Sequence, residues 1–101
     1  MNDRITDLQQ LVELTRTMRE KAQASLWDEV IDLEAVRREL ISAFFHIPVQ
    51  PELASPIAEG IRLILEMDRD IERLGLAEKE EMGQALRQMG QGKKVVRAYS
   101  L

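Results

Sequence analysis

Apolar residues recur three or four positions apart along most of this 101-residue chain, and nowhere do they alternate with polar ones as a half-buried strand requires. The longest stripe is Ile57, Ile61, Ile64, Ile71, Leu74, Met82, Leu86 and Met89, over about residues 52–91, with no proline after Pro56. Gly75 and Gly83 each weaken a helix interior by about 1 kcal/mol relative to alanine, so they test whether the stripe belongs to one helix or two. Ile71 and Met82 are eleven residues apart, as are Leu74 and Ala85. Eleven residues make about three turns, so the stripe keeps its phase across Gly75 and one helix is predicted. At 1.5 Å per residue such a helix would be roughly 60 Å long, more than a domain of this size wraps on every side. Part of the stripe is therefore expected to be left for a partner.

Two shorter segments precede it. Over about residues 3–24, Ile5, Leu8, Val12, Thr15, Met18 and Ala22 fall at helical spacing, widened by Leu11 and Leu14, with Asn2 or Asp3 as the expected N-cap. The pattern resets at Ser25-Leu26-Trp27. Ser25 lies three residues before Asp28, which resembles a capping box and predicts Ser25 as the N-cap of a second helix over about residues 26–45. Its apolar positions are Trp27, Val30, Ile31, Leu33, Val36, Leu40, Ile41, Phe44 and Phe45, with Glu29, Asp32, Arg38, Glu39 and Ser42 assigned to the opposite face. So short a turn folds the two helices into an antiparallel hairpin, with Trp27 expected to anchor the turn. The prolines within His46–Pro51 end the second helix, and Pro51 or Pro56 fits the first turn of the third. Gly90 and Gly92 are expected to break the long helix, leaving residues 93–101 room for about two turns. The predicted fold is all-α: a single helical domain in which an antiparallel hairpin packs on a long third helix, with a short C-terminal helical stub.

Composition narrows the function classes. Charged residues make up 32 % of the chain and sum to −4, while aromatics are 4 %, a balance suited to a helical bundle with both signs on its surface. The basic cluster Lys93, Lys94 and Arg97 is too small for a nucleic-acid stripe and suits a helix end. The chain has no cysteine, hence no disulfide or thiolate metal site, and no apolar run approaches the ~20 residues of a membrane span. With no signal pattern at Met1-Asn2-Asp3-Arg4, a cytoplasmic protein without membrane insertion is expected.

Catalytic constellations are scarce. The single histidine, His46, has no cysteine or carboxylate cluster in sequence reach and reads as a loop or cap residue. No glycine-rich phosphate loop follows a strand, and the acids Glu78–Glu81 and Asp28-Glu29 lack glutamate–histidine metal spacing. No enzyme activity, metal or cofactor is expected. Asp68 occupies the core phase between Ile64 and Ile71, which calls for an arginine partner: Arg37 of the hairpin, or Arg69 or Arg73 on its own helix; the alternative is a charge that contacts a binding partner. Of the five methionines, Met67, Met82 and Met89 lie on the long helix, where they either fill irregular core or offer adaptable contact surface.

These features together resemble the FliT type III export chaperones of the bacterial flagellum. The resemblance runs from Trp27-Asp28-Glu29 through Leu33-Glu34 to Ile41–Phe45, then along the long helix with Ile61 and Leu65-Glu66-Met67-Asp68, and closes on Ala98-Tyr99. It implies a cytoplasmic chaperone that binds the C-terminal helical region of the filament cap protein, prevents its premature assembly and delivers it to the export gate. Contacts with the export ATPase complex and, in some bacteria, with the flagellar master transcription regulator belong to the same implication. By position the client contacts are Ile71, Leu74, Met82, Leu86 and Met89, and Tyr99 matches a tyrosine tied to docking on the gate; the alternative for Tyr99 is packing of the tail. Longer members have a C-terminal helix that folds over the client groove. Lys93–Leu101 is expected to be at most a stub of it, leaving the groove weakly covered and transcriptional regulation open. The competing reading is a self-associating helical adaptor without chaperone activity, and a homodimer stays open under both.

Overall fold

A computed structural model describes residues 3–88, with side chains over residues 4–85. All the elements among them are helical: α1 (Asp3–Gln23), α2 (Trp27–His46), a 3-10 turn (Pro51–Leu53) and α3 (Ala54–Gln88). The chain divides into two compact units, Met1–Ile71 and Glu72–Leu101, so α3 contributes its first part to one and its second part to the other.

In the first unit α1 and α2 form an antiparallel hairpin. Arg4, at the start of α1, meets the end of α2, where its guanidinium donates to the carbonyl oxygens of Phe44 and of Ile47 (3.0 Å) and lies 4.1 Å from the centre of the Phe44 ring. A cation there satisfies carbonyls that the helix end leaves unpaired and complements its dipole. At the other end Lys21 of α1 reaches Glu29 of α2 at 3.4 Å.

The turn corrects the expected cap. Ser25 has a positive φ of 60°, the Leu26 N–H donates to the Lys21 carbonyl (2.9 Å) and the Ser25 N–H to the Ala22 carbonyl (3.0 Å). Those two bonds define a Schellman motif that closes α1, with Ser25 at the left-handed position glycine usually fills. Leu26, not Ser25, is the N-cap of α2, and it makes no side-chain cap bond. Termination of one helix and initiation of the next compete for the same residues, and termination takes the serine. Trp27 opens α2 and is half-buried beside this turn.

The 3-10 turn carries Pro51 in its first positions, and the Ala54 N–H donates to the Pro51 carbonyl as α3 begins. Pro56 sits in the first turn of α3, where no intrahelical N–H is required. Helix α3 passes through Gly75 as helix. Asp3, one of the two expected N-caps, is instead the first residue of α1; the other, Asn2, the break at Gly90 and Gly92, and the tail 93–101 lie outside the described residues.

Leu8, Leu11, Phe44, Ile57 and Ile64 form the core of the first unit, flanked by Ile5, Val12, Ile41, Val49, Leu53 and Ile61. Leu11 is thus central to the α1 face rather than at its margin. Gly60 lets α3 approach α1 closely, because a Cβ there would stand 2.6 Å from Leu8 Cδ2 and 2.8 Å from its Cγ. One polar node crosses this core. Thr15, fully buried, donates to the Leu11 carbonyl (2.9 Å) and accepts from Arg37 Nη1 (3.1 Å), which also donates to Asp68 Oδ1 at 2.6 Å. The core-phase Asp68 therefore finds the hairpin arginine among its three candidates. A second clamp joins Arg19 of α1 to Asp70 at 3.4 Å, with the Arg19 Nε buried and without a hydrogen-bond partner.

Candidate functional site

The long stripe changes character along α3. Ile57, Ile64 and Met67 are buried in the first unit, and Met67, at 5 % exposed, settles as core. Beyond Met67 no described residue of α3 is buried. Ile71, at the end of the first unit, is half-buried; in the second unit Leu74 is half-buried and Met82 is 61 % exposed. Leu86 belongs to α3, but its side chain, like Met89 and Tyr99, lies outside the described residues.

Periodicity missed Leu76. At 65 % it is the most exposed of the large hydrophobic side chains among the described residues. It stands two residues after Leu74, so it projects from another side of the helix than the Leu74 stripe. Nothing in a stripe search selects such a residue; its signal is a leucine placed among Glu72, Arg73, Glu78 and Lys79.

Helix α2 departs further from expectation. Only Val30 and Phe44 of its apolar positions are buried, while Ile31, Val36, Leu40 and Phe45 are exposed. Nor are its acids confined to an opposite face: Asp32, Val36, Glu39 and Ala43 follow at four-three-four spacing and share one strip. Two helix neighbours cannot cover a helix that is apolar around most of its circumference.

The ionic chemistry is that of surface helices. Arg38 hydrogen-bonds Glu34 four residues earlier, which holds the Glu34 carboxyl below its usual range and raises the Arg38 guanidinium in turn. Further i,i+3 pairs join Arg16 to Glu13 and Arg62 to Glu59. His46 ends α2 and is exposed. Among the described residues no group of His, Cys, Asp or Glu is disposed to hold a metal ion, and no helix is long and apolar enough to cross a membrane.

A helical hairpin clamped on one part of a longer helix, whose remaining described part exposes leucine and methionine, is the construction of a small helical binding protein. Comparison makes that specific. The family model described as "Flagellar protein FliT" matches residues 5–101, so the chain belongs to the FliT family of flagellar export chaperones. No curated protein and no solved structure matched the chain.

Proposed function

We propose that this chaperone acts in the cytoplasm on the flagellar filament cap protein, binding its C-terminal helical region along the second part of α3, holding it unassembled and delivering it to the type III export gate. The observation that carries the reading is the exposure of Met82 on a stripe whose upstream members Ile57, Ile64 and Met67 are core. An apolar side chain left in water forgoes roughly 1.5–3 kcal/mol that a partner restores on binding. Methionine suits such a face, since its unbranched side chain repacks against varied surfaces. Ile71, Leu74, Met82, Leu86 and Met89 are assigned to the client, and Tyr99 to the gate. The export ATPase complex and the master transcription regulator are further proposed partners of the same protein.

Calorimetric titration with the C-terminal segment of the cap protein tests this directly. Micromolar or tighter binding is expected, abolished by Leu74→Asp and Met82→Asp while circular dichroism keeps its helical signal. No heat and no complex on gel filtration would overturn it. A concentration-dependent dimer dissolved by the same substitutions would favour the self-associating adaptor.

A further inference from the structure

A second apolar surface lies in the first unit, between α1 and α2. A cleft of about 320 Å³ opens there, with Leu11 and Phe44 lining it beside Leu40 and Ala43 of α2, Ile47 just after that helix, and the charged Arg4 and Asp7 of α1. Val36 stands one turn before Leu40, so Val36, Leu40 and Ala43 make an i, i+4, i+7 row on α2, continued by Ile47, the extended residue that caps the helix. Val36, Leu40 and Ile47 are between 41 % and 60 % exposed. That spacing is the one by which a groove receives the apolar face of a single helix.

Charge decides what kind of helix fits. Asp7 lines the cleft, and Asp32 and Glu39 share the strip of Val36 and Ala43; all three are exposed. Among the described residues none of these three carboxylates has an ion-pair partner, whereas the cations nearby are engaged: Arg4 on the α2 carbonyls, Lys21 on Glu29 and Arg38 on Glu34. The groove is therefore apolar along its floor, with Arg4 and Asp7 at the cleft and Asp32 and Glu39 on the α2 strip, three carboxylates against one arginine. A second copy is a poor occupant. Isologous pairing would bring together two copies of a patch that holds three carboxylates against one arginine, and one row of four side chains falls far short of the roughly 800 Å² per partner of a stable dimer.

We propose that the α1–α2 groove docks an amphipathic helix of another protein, one with an apolar stripe flanked by lysines or arginines. This surface shares no residue with the client face proposed on α3 and stands whether or not the cap protein is the client. A complex of this size and charge is transient and weakens with salt.

The probe is a fluorescein-labelled synthetic helix about 18 residues long, with leucines at i, i+4, i+7 and i+11 and flanking lysines, compared with the same peptide carrying glutamates for the lysines. Saturable anisotropy is expected for the lysine peptide alone. Leu40→Lys should raise its Kd about tenfold or more, and Asp32→Asn with Glu39→Gln about threefold while flattening the salt dependence. Met82→Asp should leave it unchanged. Val36→Lys, at a more exposed position, repeats the test if Leu40→Lys perturbs the fold. Equal binding of both peptides, or loss with Met82→Asp but not with Leu40→Lys, would overturn the proposal. So would a dimer in sedimentation that Leu40→Lys dissolves, since the occupant would then be a second copy.

Discussion

Before Ile71 and after it, α3 is the same helix with the same kind of stripe, and its two parts do different things. Ile57 and Ile64 join the hairpin residues Leu8, Leu11 and Phe44 in the core and Met67 is buried as well, while Leu76 and Met82 stay in water. Polar positions differ in the same way. Asp68 and Asp70 each reach across to an arginine of the hairpin, whereas Glu80 and Glu81 are exposed. Hydrophobic periodicity states which side chains share a face. What covers that face is a property of the rest of the chain, and in the first part it is the hairpin.

Methionine provides the sharpest contrast, because the same residue occurs in both parts. Met67→Ala removes a buried side chain and leaves a cavity, with an expected loss of about 2–5 kcal/mol. Met82→Ala, at 61 % exposure, should change stability by less than about 0.5 kcal/mol. Since each kcal/mol moves the melting temperature of a domain of this size by roughly 4–8 °C, thermal denaturation separates the two substitutions in one experiment. Equal losses would mean that the second part of α3 is as well packed as the first, and the client face would lose its basis.

The buried clamp gives the next largest effect. Arg37 has a side chain only 13 % exposed, and Asp68→Ala would leave it with Thr15 alone. A loss of about 1–3 kcal/mol is expected, the range for removing one partner of a buried charged hydrogen bond. Replacing both partners, Arg37→Met with Asp68→Leu, should recover most of it, because no buried charge is then stranded. Glu80→Gln or Glu81→Gln in the second part should shift the midpoint by less than about 0.5 kcal/mol. Urea titration of the four variants reads all of this, and an equal loss at Glu80 would break the contrast.

The three helices, the hairpin and the ion pair of Asp68 were legible in the sequence because each rests on local spacing or on an unmistakable misfit, a carboxylate in a core phase. Ser25 was misread for a physical reason. A serine followed by an acid three residues on satisfies the rule for a helix start, but the preceding helix also needed a left-handed residue, and the backbone bonds from Ser25 and Leu26 to Ala22 and Lys21 settled which need prevailed. The exposed row on α2 was hidden for another. Val36 and Leu40 are as apolar as Val30 and Phe44, and only the angle at which α1 and α3 pack decides which pair is covered. Leu76 escaped because it sits off the stripe. The exposure of Met82 beyond the core members of its stripe agrees with the surplus of stripe read from the sequence, and the proposed client face rests on it.

Glycine yields the smallest and most diagnostic difference. At Gly60 a methyl group would press on Leu8 Cγ and Cδ2 at 2.8 and 2.6 Å, and Cγ cannot swing clear without moving the whole side chain. Overpacking of this kind costs about 1–3 kcal/mol against the roughly 1 kcal/mol that alanine gains over glycine in a helix, so Gly60→Ala should destabilise by about 1 kcal/mol. Gly75 lies in the second part of the same helix. There the helix propensity of alanine sets the expected effect, and Gly75→Ala should stabilise by up to about 1 kcal/mol. Opposite signs for one substitution at two places on one helix, read from paired denaturation curves, would show that α3 is built to fit tightly in its first part. A loss at Gly75 as well would mean that the second part also depends on a close approach, and the face assigned to the client would already have an occupant.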